Sequence, residues 1–257
     1  MRRLIIRPGA IGDLILSLPA LEYLRTDYTQ VWVAAQNVGL VRFADRVRPI
    51  SSTGLDLLEL GLAPEELPLA LTEFDEIVSW YGAGREQFRE AVSNLPFRFH
   101  PALPDSSVIH ATDFYLRQVG AQPGALPRLS VPRWEGGFVA IHPFSGSSSK
   151  NWPLERFEEL SRRLRAQWCE TSQGRRFEDL WDLAQWLAGA SAYVGNDSGI
   201  THLAAAVGVP VVAIFGPTDP AIWAPRGSNV CVIRKERLEE ITMEEVETSV
   251  FVAREYW

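Results

Sequence analysis

Cysteine and lysine are both scarce in this chain. Cys169 and Cys231 are the only cysteines among 257 residues, with no CxxC pair and no histidine beside either in sequence. That pattern argues against a disulfide framework or a zinc site and fits a reducing compartment. Long apolar runs are missing as well, since none approaches the ~18 residues a membrane span needs. The apolar stretch of the N-terminal MRRLIIR is too short for a signal peptide, so a cytoplasmic protein is expected. Positive charge is not in excess: the net charge is −7, which argues against nucleic acid as a partner. No internal repeat or low-complexity segment appears. Lysine occurs only at Lys150 and Lys235, so composition alone does not account for finding one at a particular corner.

An apolar fraction of 46% with 22% charged residues suffices for a real core, and the length suits two modest domains or one large one. LIIR (4–7) reads as a buried strand, followed by a glycine-containing turn and a helix through DLILSLPALEYLR. Leu14, Leu18 and Leu21 share one face of that helix, and Pro19 is expected to bend it or to sit where a missing donor does little harm. Strands are expected at 31–35, 76–82 and 97–103, with helices at about 38–44 and 110–120. The stretch 121–137 is dense in proline and glycine and reads as a linker. Beyond it a strand at 138–144, helices at about 154–168 and 177–188, and strands AYVGN and PVVAIFG follow. Strands alternating with helices on both sides of a linker predict two open parallel-sheet α/β domains, residues 1–125 and 126–257, facing each other across a cleft.

Ligands of such sheets bind where strands run out into loops, and three corners carry unusual chemistry. The first is RPGAIGD (7–13). Its spacing is not GxGxxG, so a dinucleotide fingerprint is absent; Gly12 permits a tight turn or a close ligand. Asp13, where the helix begins, has two readings: a helix cap, or a carboxylate aimed into the cleft as general base. The second corner, HPFSGSSSKNWP (142–153), follows His142 with Ser145, Gly146, further serines and Lys150. Hydroxyls, exposed N–H groups and a compact cation suit phosphate oxygens, although Ser/Gly runs also serve as flexible loops. The third is YVGNDSGITHLAAAVGVPVVAIFGPTDP (193–220). Asp197, Ser198 and Gly199 open a helix whose free N–H groups attract an anion. His202 lies near the same helix end, and Thr218 belongs to the turn that closes the next strand. Taken alone, His202 would read as a core histidine.

Together the stretches 7–25, 142–164 and 193–220 resemble glycosyltransferase family 9, whose best-known members are the lipopolysaccharide heptosyltransferases. The resemblance covers somewhat over a quarter of the chain, and NDSG, the histidine and GPTDP carry it most specifically. It implies a GT-B fold and inverting transfer from a nucleotide-activated sugar, with no metal or other cofactor. Asp13 then matches the acid proposed to deprotonate the acceptor hydroxyl, and Lys150 the lysine on the donor diphosphate. Asp197 matches an acid contacting the transferred sugar, Ser198 and Gly199 present helix N–H groups to phosphate, and His202 lines that pocket. Thr218, His142, Ser145 and Gly146 are placed on the donor side, Gly12 and Arg85 on the acceptor side, Arg85 by position alone. Expected partners are a nucleotide-sugar donor, an ADP-sugar first among them, and a glycan or glycolipid acceptor. The six arginines between Arg156 and Arg176 add the expectation of a peripheral membrane contact, beside the plainer reading of a solvated helix face.

The chain departs from that pattern between 168 and 177, where family members insert a strand, a glycine-rich loop with an acid, and a helix. The second sheet is therefore expected to lack a strand, with Glu170 left to replace a ribose-binding glutamate. This opens an alternative from another class, a degenerate, non-catalytic sugar-nucleotide or carbohydrate-binding module.

Overall fold

The computed structural model describes residues 1–64, 66–104, 109–172 and 174–255. The chain begins with β1 (Arg2–Arg7), α1 (Ile11–Tyr23), β2 (Tyr28–Val33) and β3 (Arg46–Pro49). It continues through α2 (Glu66–Leu71), β4 (Glu76–Ser79), α3 (Glu86–Ala91), β5 (Phe97–Phe99) and α4 (Ala111–Gln118). The second half holds β6 (Phe138–His142), α5 (Leu154–Leu164), β7 (Gln167–Trp168), α6 (Leu180–Leu187) and β8 (Ala190–Asn196). It ends with α7 (Gly199–Val207), β9 (Val211–Phe215), α8 (Pro220–Trp223), β10 (Val230–Arg234) and α9 (Met243–Glu255). Two parallel five-stranded sheets result, ordered β3-β2-β1-β4-β5 and β10-β9-β8-β6-β7.

The strand order decides where a ligand can sit. In the first sheet the chain winds outward from β1, then returns to the other side of it as β4; in the second it steps from β6 to β7 and returns as β8. The switch points, β1/β4 and β6/β8, leave a crevice at the strand ends where no crossover helix covers it. The loops carrying Asp13, Lys150 and Asp197 all leave strands that flank these two crevices.

The central strands are apolar because both faces are covered, as parallel sheets require. Ile5 and Val31 of the first sheet and Ala140, Tyr193 and Phe215 of the second belong to one buried cluster, joined through α1, α4, α6 and α7. Two smaller clusters fill the outer faces, one beneath α2 and α3 and one beneath α5 and α9. The 121–137 linker takes no regular structure, and it is strapped to the second half by the Leu129 N–H donating to the Ala206 carbonyl at 2.8 Å.

Three local expectations change. The helix expected at 38–44 is a 3₁₀ segment over Ala35–Leu40 followed by β3. Asn37 there donates to the Gly9 and Ala10 carbonyls at 3.1 and 3.4 Å, tying the segment to the loop after β1. The helix expected to reach Trp168 stops at Leu164, with Arg165 in the left-handed region at φ 49°. Gln167 and Trp168 instead pair with Ala140 and Ile141. The second sheet accordingly has five strands: the strand expected to be missing survives as the two-residue β7 at the edge. Pro19 lies inside α1, which runs through it.

Candidate active site

Gly9 has φ +117°, and a Cβ there would lie 2.8 Å from the Asp13 side chain. Only glycine fits both demands, and the turn it allows delivers the chain into α1 at Ala10. Ala10 is the helix cap, so Asp13 is the third residue of α1 rather than its cap. Its Oδ2 still accepts the Ala10 N–H at 2.9 Å, one half of a capping box. The Asp13 side chain remains 25% exposed, which leaves it accessible to a ligand.

Arg7 ends β1 directly beneath this turn and is 1% exposed. Its Nε donates to Ser17 Oγ at 3.0 Å, Nη1 to the Pro8 carbonyl at 2.8 Å and Nη2 to the Asp13 carbonyl at 3.0 Å. Nη2 is also 3.9 Å from Asp13 Oδ1, and the guanidinium carbon stands 4.7 Å from the centroid of the Tyr115 ring. Burial lowers the pKa of Arg7 from its ordinary value, partly opposed by Tyr115 and Asp13.

In the second half, Asn196 ties two site loops together. Its Nδ2 donates to the Pro143 carbonyl at 2.5 Å and its Oδ1 accepts the Trp152 N–H at 3.0 Å. That brings Lys150 against Asp197, Nζ to Oδ2 2.9 Å, with the lysine 28% and the aspartate 8% exposed. Ser198 caps α7: its Oγ accepts the Thr201 N–H at 3.4 Å and lies 3.1 Å from Thr201 Oγ1. His202, one turn in, is buried and its Nδ1 has no hydrogen-bond partner. Burial lowers its pKa to about 4, a loss only partly offset by Asp197, so the imidazole is neutral near pH 7.

The two halves meet at helix N-termini. A Cβ on Gly199 would lie 2.7 Å from Ile11 Cβ and 3.2 Å from the Gly12 nitrogen, while one on Gly12 would lie 3.1 Å from His202 Cδ2. The backbones thus approach as closely as glycine allows. A cavity of about 290 Å³ opens beside this contact, lined by Gly12, Asp13 and Leu16 from one side. Gly146, Lys150, Asp197, Ser198, Gly199, His202, Thr218 and Trp223 line it from the other. An acid, a cation, a helix N-terminus and a neutral imidazole therefore converge on one space.

Nine of the twelve residues singled out from the sequence line this cavity, and three do not. His142, at the end of β6, is buried, and its Nδ1 lies 3.1 Å from the Cys169 carbonyl; burial pulls its pKa down. Ser145 Oγ lies 2.7 Å from both the Ser147 carbonyl and Asn151 Oδ1, so it shapes the loop. Arg85 follows β4 and bonds Glu59 and the Tyr81 hydroxyl, away from the cavity. Glu170, at φ 53°, accepts the Phe177 N–H at 2.9 Å and closes the shortened connection; Gln173 of that connection is outside the described residues. Sequence reasoning passed over Arg7, Asn196, Leu16 and Trp223. A charged residue and an amide ending apolar strands were the available signals for the first two. Among the described residues no three His, Cys, Asp or Glu side chains cluster as a metal site, and no helix is long and apolar enough to cross a membrane.

A family model described as glycosyltransferase family 9 (heptosyltransferase) matches residues 178–250. Lipopolysaccharide heptosyltransferase 1 of Escherichia coli (strain K12) is 27% identical over 42% of this chain, a match spanning only 41% of that relative. Lipopolysaccharide heptosyltransferase 2 of the same strain is 22% identical over 91% of the chain and 88% of its own length. A solved structure described as E. coli ADP-heptose lps heptosyltransferase II superimposes with a TM-score of 0.78 at 18% identity, covering 100% of this chain and 99% of that one. The fold is GT-B, two parallel-sheet α/β domains like those of the heptosyltransferase structures. The family model over residues 178–250 and the relatives agree, and the chain is similar to the heptosyltransferases of glycosyltransferase family 9.

Proposed function

We propose that the chain is an inverting, metal-independent glycosyltransferase. It moves a sugar, heptose first among the candidates, from a nucleoside-diphosphate donor to a hydroxyl of a lipopolysaccharide-like acceptor. An ADP-sugar is the first donor to try, because the superimposable structure is named for ADP-heptose. Residues 1–125 form the acceptor side and 126–257 the donor side. The two free cysteines suit a reducing cytoplasm.

One observation carries the reading: Asp13 and Lys150, from opposite halves of the chain, line the same cavity of about 290 Å³. That volume is at the small end for ligand pockets, a size suited to the sugar and diphosphate rather than the whole donor. In the proposed reaction Asp13 takes the proton of the acceptor hydroxyl, and the freed oxygen attacks the anomeric carbon. The bond from that carbon to the diphosphate oxygen breaks on the opposite face, so the configuration inverts. Lys150 and the first N–H groups of α7 meet the charge that develops on the leaving diphosphate. Asp197 holds Lys150 in place through their ion pair at 2.9 Å and faces the sugar when the donor is bound. Neutral His202 can donate or accept a hydrogen bond without adding charge. Packing of α1 against α7 excludes water that would otherwise hydrolyse the donor.

The alternative, a binding module without turnover, draws support from the two-residue β7 and from Glu170, whose carboxylate is engaged with the Phe177 N–H. Incubation with ADP-heptose and a heptose-free lipopolysaccharide acceptor, followed by assay of ADP release, separates the two. Release that depends on acceptor supports the enzyme. Saturable ADP-heptose binding without release, extended across a panel of nucleotide sugars, would establish the module.

A further inference from the structure

We propose that Arg7 is a positioning residue for Asp13, setting the carboxylate that the proposed transfer requires. The inference rests on Asp13 acting as the base. A buried guanidinium is costly, because removing such an ion from water is penalised unless charge and hydrogen bonds compensate. Arg7 is 1% exposed, so its compensation must come from its immediate neighbours.

Every contact of this guanidinium leads to the Asp13 turn or to the ring packed beneath it. Nη1 holds the Pro8 carbonyl at 2.8 Å, before the Gly9 turn; Nε holds Ser17 Oγ at 3.0 Å, one turn past Asp13. Nη2 bridges Asp13 itself, 3.0 Å from its carbonyl and 3.9 Å from Oδ1. Asp13 is the one acid paired with Arg7 among the described residues. The carboxylate is thereby placed between two groups, with Oδ2 on the Ala10 N–H at 2.9 Å and Oδ1 facing the cation. Tyr115 of α4 closes the far face of the guanidinium, its own hydroxyl occupied by the Ala102 carbonyl at 3.0 Å. Among the described residues the hydrogen bonds, ion pair and ring contact of Arg7 all go to the first half of the chain, none to Lys150 or Asp197, so its effect should fall on acceptor activation and not on donor binding.

The test compares Arg7→Met, Arg7→Lys and Asp13→Asn with the wild-type chain, using ADP-heptose and the heptose-free acceptor for turnover and ADP alone for affinity. Displacing a reacting group by about 1 Å costs on the order of 10²-fold. Arg7→Met should therefore lower kcat about 30- to 100-fold while the ADP Kd stays within about twofold. Arg7→Lys keeps the charge but replaces three separately placed nitrogens with a single point donor, and should recover most of that loss, ending about 3- to 10-fold below wild type. Loss of ADP affinity parallel to kcat, or wild-type kcat in Arg7→Met, would overturn the inference. If Arg7→Met does not fold, Arg7→Lys decides, and an undiminished kcat there counts against positioning. A crystal structure of Arg7→Met provides the readout that needs no turnover: Asp13 should leave its present rotamer, and an unmoved carboxylate refutes the idea. Full activity in Asp13→Asn, by contrast, would remove the base assignment itself, a separate failure from that of Arg7.

Discussion

At the residue scale, the proposed transfer divides its chemistry between Asp13 and Lys150, and each assignment predicts a different kinetic signature. Asp13→Asn keeps the volume and can still accept the Ala10 N–H through its amide oxygen, so the helix start should survive. Turnover should fall about 10²- to 10⁴-fold, the range for losing a general base, with ADP affinity measured by calorimetry nearly unchanged. An active Asn variant would reduce Asp13 to its bond with Ala10. Lys150→Ala should instead weaken ADP binding about 10- to 100-fold, the scale of one charge-assisted hydrogen bond. Unaltered ADP affinity would place the diphosphate elsewhere. Both residues were legible in the sequence because polar groups at the ends of apolar strands are conspicuous. Arg7 and Asn196 share that position, but their roles depend on contacts with Ser17, Pro8, Pro143 and Trp152, which no spacing rule supplies. Arg85 is the converse: its place after a strand suggested a ligand, and Glu59 and Tyr81 occupy it instead.

At the scale of elements, the decisive contact is α1 against α7. Both helices start with glycine in the first two positions, and both use it to bring backbones together. Gly199→Ala would push a methyl to 2.7 Å from Ile11 Cβ. Such overpacking costs about 1–3 kcal/mol, so thermal unfolding should occur several degrees lower, with turnover reduced as the cavity widens. Wild-type melting in that variant would show that the helices can slide apart freely. Helix α7 itself was readable from Ser198 and the small residues behind it, whereas α9 and β10 were not read at all. The short helices α2 and α3 were also missed, because six-residue helices carry too few turns for a period to emerge. The overlong α5 was misjudged because nothing local distinguishes Gln167 and Trp168 as strand; the free edge of β6 recruits them.

For the whole molecule, the four histidines make a joint prediction about acid. His100, His110, His142 and His202 all have pKa values lowered from 6.5, in each case chiefly by burial, His202 to about 4. A lowered histidine pKa means the unfolded chain binds the extra proton first. The stability is complete above about pH 6.5 and is lost as pH falls toward 4. For His202 alone the difference corresponds to roughly 3 kcal/mol. Asp113 acts in the same direction at lower pH: the bond from Arg226, at 2.7 and 2.5 Å, lowers its carboxyl pKa, so that ion pair is lost on further acidification. It joins α4 of the first half to the segment after α8, beside the bond between His110 Nε2 and the Ala224 carbonyl at 2.9 Å. Melting temperature should therefore decline steadily from pH 6.5 to 4, and His202→Gln should flatten that slope. An unchanged slope would assign the acid sensitivity to the other histidines.

The amino-acid order alone determined the alternation of strands and helices, hence two parallel sheets, and it marked the three corners where polar residues interrupt apolar strands. These are local properties, fixed by period, turn chemistry and the residue types at strand ends. Which corners face one another was decided only in three dimensions, by the winding of each sheet about β1 and β6 and by the glycine contact between α1 and α7. Tertiary contacts likewise kept a fifth strand in the second sheet through the β6 edge, held Arg85 on Glu59 and Tyr81 away from the cavity, and buried Arg7 beneath Asp13. Such outcomes depend on partners outside any short window, from Glu59, 26 residues from Arg85, to the α1–α7 contact between opposite halves of the chain, and the hydrophobic and hydrogen-bonding demands of those partners override what a short window prefers.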